Sequence, residues 1–443
     1  MARPDPHGVR TFTVLALVIV AASSLGAERT RREELPDGRV RTSGLVTPHE
    51  GRAFLLRNLD GRTVVRVTDQ TRVAIDVNYR QVGNVQGRAL RFETQWEGLP
   101  VNLPLPEGQL YARKTVRPQM AEKELEAATK ETWLSARGLS IHGTPQADHQ
   151  PTRDEPFFAG RWQFARGRGK PATLTVGDTA LEVSMKKGGQ TNILIYDAIG
   201  PDTIEPHVYR ATVIGKEADG ALVADEVHLL PIGDQASTDK PGLPRYLCIG
   251  DSISYNYGKA LREALAGKAN VHHPPTNCGP SGKGAGNIVE WLGAYDLEGR
   301  GWDVISFNFG HWDAGNTKAA YQENLEFAIR HMQKTGAKLI WVTTCPVPNG
   351  CGKAGDLGAT GKAPGRKAGV MQTYLNPWAL EVMKRHPAIT VCDQWQLART
   401  NPDGHFTEWW NGNNVHFGSE ASASLGRLLS QHVLEALGNS ADK

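Results

Sequence analysis

The feature that most constrains the fold of this chain is an alternation of short apolar runs with helical segments between residues 245 and 438. Apolar runs of four or five residues recur at 246–249, 304–307, 338–342 and 389–392, with a weaker candidate at 269–272. The helices predicted between and after them include one over 321–332 and a last one that starts at Ser419 and stops near Gly438. Strands that alternate with helices form a parallel sheet covered on both faces, and such sheets carry their chemistry at the carboxyl ends of the strands.

The preceding part of the chain has a pattern typical of β structure. Residues 28–140 contain β-branched runs split by polar turns and are predicted to end in a helix over 117–137. Residues 157–231 are predicted to form a second small β domain, and the segments 141–156 and 231–244 resemble linkers. Short strands with Gly or Asp turns are typical of small barrels, so the two β segments are compatible with two copies of one OB-like barrel.

The N-terminus resembles a signal peptide. Arg3 and Arg10 precede an apolar stretch over 12–22, and small residues follow up to Ala27, after which cleavage is expected. The apolar stretch is shorter than the roughly 20 residues that cross a bilayer. The sequence therefore predicts a secreted or periplasmic protein without stable membrane insertion.

Charge and cysteine content exclude several kinds of partner. The formal net charge is only +3, without long basic runs, so nucleic acid is not a predicted partner. Cys345 and Cys351 flank a loop and are candidates for a disulfide, which export would permit. The five cysteines lack the paired spacing of a zinc site, and no metal or other cofactor is predicted.

The first segment that carries chemistry is the run from Gly250 to Ser254, which follows the first apolar run and opens a helix. A serine at this junction, Ser252, projects from the end of a strand, and backbone N–H groups at the helix start can stabilise an oxyanion. The alternative interpretation is that Asp251 and Ser252 only cap the helix, since both residue types are common N-caps.

Two further segments offer donors to an oxyanion. Gly282 lies in a turn before a helix and can present its backbone N–H. Asn308 and Trp312 follow the run 304–307 and are alternative side-chain donors.

The last segment precedes the final helix and contains His416, three residues after Asn413. A histidine that follows a side-chain acceptor at this spacing suits a general base and the group that orients its ring. The alternative is a structural or solvated loop histidine.

Taken in order, these segments resemble the motif blocks of the SGNH/GDSL hydrolase family over the whole alternating half. Residues 250–252 match the nucleophile block, Gly282 the second block, Gly310 and Asp313 the third, and His416 the last. This resemblance implies a three-layer α/β/α flavodoxin-like domain without a metal. It also implies ester hydrolysis through a covalent acyl-serine intermediate.

The sequence departs from the family pattern at two positions. Trp312 stands where the family has an asparagine that donates to the oxyanion; Asn308 or Asn316 are possible replacements. Asn413 stands where the family has the aspartate of the triad. Asp403 ranks second as the acid, and the remaining alternatives are Asp393 and Glu408.

The function expected from these features is that of an exported carbohydrate esterase that removes acetyl or other small acyl groups. Asp251, Trp312 and Trp410 are the predicted substrate contacts, because flat aromatic rings suit the faces of sugars; core packing is the alternative for the tryptophans. Two other functions stay open: a lipase or thioesterase for longer acyl chains, and a degenerate carbohydrate-binding module without catalysis.

Overall fold

The computed structural model of the chain describes residues 32–78, 82–86, 89–93, 100–115, 133–135, 138–143, 157–164, 172–184, 192–347, 357, 361–363, 369–400, 409–411 and 415–438. The predicted signal peptide lies outside these residues. Within them, no helix combines the length and the apolar character that a membrane crossing requires.

The β-rich half contains seventeen strands among the described residues. They are β1 (Arg32–Glu34), β2 (Val40–Pro48), β3 (Ala53–Asn58), β4 (Gly61–Arg66), β5 (Arg72–Asn78), β6 (Val82–Gln86), β7 (Ala89–Glu93), β8 (Pro100–Pro104), β9 (Tyr111–Thr115), β10 (Trp133–Ser135), β11 (Gly138–His142), β12 (Phe157–Gln163), β13 (Ala172–Val176), β14 (Thr179–Ser184), β15 (Asn192–Tyr196), β16 (Tyr209–Ala218) and β17 (Ala221–Pro231). Strands β6, β7 and β8 form a small sheet of their own, and the others belong to one continuous sheet.

Five of these strands close into a ring, in the order β2, β3, β4, β17, β16 and back to β2. The β4–β17 pair is parallel and the other four pairs are antiparallel. Apolar side chains from all five strands fill the ring, among them Val46, Leu56, Val65, Val213 and Val227, none of which is exposed to solvent. We call this unit the ring barrel.

From β17 of the ring barrel, the sheet continues through β5, β15, β11, β9, β12, β13, β14 and β10. A second apolar core lies against these strands. Strands from both predicted β segments alternate in this sheet: β17 lies between β4 and β5, and β12 pairs with β9. The structure therefore differs from the predicted division into separate β domains at 28–140 and 157–231. Of the predicted helix over 117–137, residues 117–132 and 136–137 lie outside the described residues, and Trp133–Ser135 form a strand.

The predicted linker 231–244 is held firmly against the C-terminal half. It contains a short 3-10 turn, Gln235–Thr238, flanked by two aspartates that form ion pairs. Asp234 pairs with Arg300 at 2.7 Å, and Asp239 pairs with the Arg245 guanidinium at 2.6 Å. The two halves are thus joined by a structured connection rather than by a flexible tether.

The C-terminal half is built around a five-stranded parallel sheet. Its strands are β18 (Arg245–Ile249), β19 (Asn270–His272), β20 (Val304–Phe307), β21 (Lys338–Val342) and β22 (Thr390–Cys392). Its helices are α1 (Ser252–Ala264), α2 (Ser281–Leu292), α3 (Lys318–Gln333), α4 (Asn376–Met383), which continues a π-helical turn over Met371–Leu375, α5 (Gln394–Thr400) and α6 (Ser419–Leu437). The order β19-β18-β20-β21-β22 corresponds to 2-1-3-4-5, which is the flavodoxin-like order.

Alternation along each strand places one apolar set on each face of the sheet. Leu247, Phe307 and Trp341 face the core formed with α2, α3 and α4. Their neighbours Cys248 and Ile340 face the core formed with α1, α5 and α6. Because both faces are covered by helices, this half has the predicted three layers, and all five predicted apolar runs are strands.

The described cysteines are buried and not disulfide-bonded, namely Cys248, Cys278, Cys345 and Cys392. The Cys345 sulfur lies 3.8 Å from the carbonyl of Gln394 in the core. The disulfide considered between Cys345 and Cys351 is therefore absent at Cys345, and Cys351 lies outside the described residues.

Candidate active site

Ser252 stands at the junction between β18 and α1, at the carboxyl edge of the sheet. β18 is buried along its whole length and ends at Ile249, and Ser252 is the first residue of α1. The carboxylate of Asp251 caps the helix by accepting from the Ile253 N–H at 2.9 Å. Ser252 itself is half-buried. The sharp strand-to-helix turn thus presents the serine hydroxyl at the place where parallel sheets hold ligands.

His416 completes a pair with this serine. Its Nε2 lies 2.7 Å from the Ser252 Oγ, although 164 residues separate them in the sequence. Backbone hydrogen bonds fix the histidine loop on both sides, from Asn411 N–H to the His416 carbonyl at 2.9 Å and from Gly418 N–H to the Trp409 carbonyl at 2.8 Å. The two residues that the sequence nominated as nucleophile and base are therefore within hydrogen-bonding distance.

The structure describes one of the four candidates for the group that orients His416. Asn413, Asp403 and Glu408 lie outside the described residues. Asp393 has another role, because its carboxylate accepts from the Gln396 N–H at 3.0 Å and from the Thr343 hydroxyl at 2.9 Å. Asp393 thus stabilises the start of α5.

The N-termini of two helices lie at the edge of the sheet that carries the serine. Ser252 and Gly282 occupy the first turns of α1 and α2, where backbone N–H groups have no intrahelical acceptor. The Cys278 N–H donates to the Gly250 carbonyl at 3.1 Å, which ties the loop before α2 to the nucleophile turn. This arrangement brings the backbone donors of two helices toward one edge of the sheet.

Asp313 anchors the start of α2, a role that the sequence did not reveal. Its fully buried carboxylate accepts from the Ser281 N–H at 2.9 Å, from the Ser281 hydroxyl at 2.5 Å and from the Asn316 amide at 2.8 Å. Burial raises the pKa of Asp313 to about 7, although these hydrogen bonds oppose the shift. Asp313 therefore holds the residue that precedes Gly282, and its match to the third family block was the available signal.

The candidates for a side-chain oxyanion donor differ in what they contact. The Asn308 amide donates to the Val342 carbonyl at 2.7 Å and to the Thr344 hydroxyl at 3.0 Å, so both of its hydrogens serve the β20–β21 edge. Trp312 lies in a 3-10 turn and is 46% exposed. Of these two candidates, Trp312 is exposed and Asn308 is half-buried.

Two of the predicted substrate contacts have structural roles instead. Asp251 is 4% exposed and serves as the N-cap of α1. Trp410 is 5% exposed, and its ring lies 5.0 Å from that of Phe417 in the core beneath α6. Both side chains are therefore enclosed by protein and contact a partner there, so neither faces the solvent as a substrate contact would.

A second serine–histidine contact, between Ser254 and His273, stabilises the turn that carries Ser252. The Ser254 Oγ lies 2.6 Å from the Asp251 carbonyl and 2.7 Å from His273 Nε2. The other ring nitrogen of His273 donates to the Pro274 carbonyl at 2.8 Å, and burial lowers the pKa of His273 to about 4. The ring of His273 is therefore neutral near pH 7. Only glycine fits at position 250, since a Cβ there would lie 2.7 Å from the Ser254 side chain.

Comparison with known proteins finds structural likeness only. No protein-family model and no curated protein sequence matches the chain. The solved structures that match are SGNH/GDSL hydrolases, as the sequence resemblance predicted, and they cover about 45% of this chain.

Three of these solved structures illustrate the likeness. A carbohydrate esterase family 3 structure from Talaromyces cellulolyticus is 10% identical, covers 45% of this chain and 100% of its own, and has a TM-score of 0.33. A GDSL-like lipase from Bacteroides thetaiotaomicron is 12% identical, with 46% and 94% coverage and a TM-score of 0.33. The C-terminal catalytic domain of Streptococcus pneumoniae peptidoglycan O-acetyltransferase A is 19% identical, with 45% and 94% coverage and a TM-score of 0.31. At these TM-scores the likeness says nothing of activity or substrate, which must be inferred from the site itself.

Proposed function

We propose that this chain is an exported serine ester hydrolase that removes acetyl or other small acyl groups from carbohydrate. The observation that carries the proposal is the 2.7 Å contact between Ser252 Oγ and His416 Nε2 at the carboxyl edge of a parallel sheet. A serine is a weak nucleophile until an adjacent base accepts its proton, and this contact supplies that base.

In the first half of the reaction, the Ser252 oxygen attacks the ester carbonyl while its proton passes to His416 Nε2. The carbonyl oxygen becomes an oxyanion that accepts from the backbone N–H groups of Ser252 and Gly282. The tetrahedral intermediate then collapses, the C–O bond to the sugar breaks, and His416 returns the proton to the leaving sugar oxygen. An acyl-serine and a free sugar hydroxyl result.

In the second half, His416 removes a proton from water, and the resulting hydroxide attacks the acyl-serine. The second tetrahedral intermediate releases the carboxylic acid, and His416 protonates Ser252 Oγ. Each oxyanion donor contributes about 3–4 kcal/mol to such steps. We assign Trp312 as the third donor or as a platform for the sugar, because the Asn308 amide is bonded elsewhere. Asn413, or else Asp403, is proposed to orient His416.

Two features support the sugar substrate and the export that the proposal names. The exposed ring of Trp312 supports a sugar as the alcohol part, and the N-terminal residues 1–27 support export, because they have the pattern of a signal peptide.

We also infer that the ring barrel is an OB-like barrel. Its five strands close in the order first, second, third, fifth, fourth, with a parallel pair between the third and the fifth. The second β core is then an insertion between the third and fourth strands of this barrel.

Hydrolysis of 4-nitrophenyl acetate tests the proposal. The wild-type chain should release 4-nitrophenol, and Ser252→Ala and His416→Ala should lower kcat by at least about 10³-fold, because the two residues act as a unit. Ser430→Ala is the matched control and should keep full activity, because this buried hydroxyl donates to the Arg427 carbonyl within α6. A wild-type rate equal to that of Ser252→Ala would instead support a non-catalytic binding module. A rate that rises with acyl chain length would support a lipase.

A further inference from the structure

The ring barrel is docked on α2, the helix that begins at the proposed oxyanion donor. Arg57 at the end of β3 pairs with Asp296 at 2.6 Å, donates to the Gly293 carbonyl at 3.1 Å and lies over the Tyr295 ring at 4.6 Å. Leu59 in the adjoining turn packs against the core under α2. These contacts fix the barrel against the C-terminal end of the helix.

A cleft of about 170 Å³ remains between the two halves, beside the same helix. Its apolar wall includes Leu45 and Leu230 of the ring barrel and Ile232, which directly follows β17. Its polar wall comes mainly from α2 and the loop before it, with one arginine from the barrel. The residues that supply polar groups there are Thr276, Lys283, Asn287, Glu290 and Arg210.

The polar side chains of the cleft are held by one ion pair between the two halves and by hydrogen bonds within the polar wall. Arg210 of β16 pairs with Glu290 of α2 at 3.2 Å, and both side chains are largely shielded from solvent. Lys283 Nζ donates to the Thr276 hydroxyl at 2.9 Å and to the Asn277 carbonyl at 2.6 Å. Because these groups are already oriented, a ligand would meet donors and acceptors without reorganising them.

The cleft lies along α2, the helix whose first turn carries Gly282. Lys283 directly follows Gly282, and Thr276 lies two residues before Cys278, whose N–H bonds to the nucleophile turn. Along α2, the polar residues 283, 287 and 290 recur at helical spacing, and about 10 Å separates the first from the last. A molecule whose ester lies at Ser252 can therefore extend its alcohol part toward this cleft.

Resting on the proposed function, we propose that this interdomain cleft is a subsite for one sugar unit of the acylated substrate. A volume of 170 Å³ is below the roughly 300–1,000 Å³ of pockets that enclose whole drug-sized ligands, so it suits one ring and not an oligosaccharide. Sugar hydroxyls both donate and accept, as the mixed wall of Arg210, Asn287 and Glu290 requires. A long acyl chain would leave these groups desolvated.

The cleft is tested by Arg210→Met and Asn287→Leu, each of which removes polar groups while keeping the side-chain volume similar. Wild type and variants are compared on 4-nitrophenyl acetate, which has no sugar, and on O-acetylated xylo-oligosaccharides, which keep free hydroxyls. We expect KM for the acetylated saccharides to rise about tenfold, or ~1.4 kcal/mol, with the rate on 4-nitrophenyl acetate unchanged. Arg41→Met is the matched control, because it breaks an exposed ion pair with Glu33 on the same barrel.

A binding measurement provides a readout that does not depend on turnover. In a Ser252→Ala background, calorimetric titration with the O-acetylated xylo-oligosaccharides should give a Kd that Arg210→Met weakens about tenfold and Arg41→Met leaves unchanged. Equal saccharide KM and Kd values in wild type and both cleft variants would overturn the subsite while leaving the hydrolase intact. A wild type that cleaves 4-nitrophenyl acetate but none of the saccharide esters would overturn the sugar assignment. Loss of 4-nitrophenyl acetate hydrolysis in the wild type would overturn the proposed function itself.

Discussion

Asp313→Asn isolates a buried carboxyl whose titration should govern the stability of the C-terminal half. The carboxylate is fully enclosed and holds Ser281 at the start of α2 through the backbone N–H and the hydroxyl. Burial raises its pKa from 3.8 to about 7. The folded protein therefore keeps a proton on Asp313 over a pH range in which the unfolded chain has lost it.

The sign and size of the effect follow from this pKa difference. The stabilisation that the proton provides is complete below about pH 4 and is lost as the pH rises through 7, because the unfolded state then binds fewer protons. One pKa unit corresponds to about 1.4 kcal/mol, so the free energy of unfolding should fall by about 3 kcal/mol between pH 5 and pH 8 from this group alone. Asparagine is neutral at both pH values and lacks this dependence.

Urea unfolding at pH 5, 6, 7 and 8, followed by tryptophan fluorescence, measures the effect as a difference between wild type and variant. The destabilisation caused by Asp313→Asn should shrink by about 3 kcal/mol from pH 5 to pH 8. Asp219→Asn, at an exposed turn with a positive φ that asparagine tolerates, is the control for the loss of one carboxylate. A difference between wild type and Asp313→Asn that is the same at all four pH values would refute the reasoning.

Three further changes probe the site and its support. Trp312→Phe keeps an aromatic ring but removes the indole N–H, so it should lower kcat on 4-nitrophenyl acetate by about 10²-fold if Trp312 donates to the oxyanion; an unchanged kcat would leave only the sugar-platform role. Gly284→Ala should destabilise the fold by about 1–3 kcal/mol in thermal melts, because its Cβ would lie 2.4 Å from the ring of Phe309; adding Phe309→Leu should recover part of the loss, and additive effects would contradict the packing argument. Asn413→Ala should lower kcat more than Asp403→Ala does, and the reverse order would assign the orienting group to Asp403.

The C-terminal half was predictable because its apolar runs are local signals. Residues 304–307 and 338–342 were expected as strands and are β20 and β21 with the same bounds. The last helix begins at Ser419 as expected, although Gly418 is the residue in the N-cap position, and Gly438 ends it at a positive φ of 80°. The candidate pair could be predicted because Ser252 follows an apolar run and His416 directly precedes the last helix.

The β-rich half was less predictable, because its strand partners lie far apart in the sequence. Val65 of β4 pairs with Leu222 of β17, and no local pattern announces a partner at that separation. The same limit applies to side-chain environment. Trp312 and Trp410 look alike in the sequence, yet one is exposed and the other is enclosed, since either environment suits an indole ring.

The most direct test of the central claim is the site of covalent labelling by a 4-nitrophenyl phosphonate ester. Such a reagent forms a stable adduct with a serine that has an activated hydroxyl, and intact-mass and peptide mass spectrometry locate it. One adduct per chain is predicted, on the peptide that contains Ser252, with much slower labelling in His416→Ala and none in Ser252→Ala. An adduct on another residue, or labelling that survives in Ser252→Ala, would contradict the assignment of Ser252 as the nucleophile.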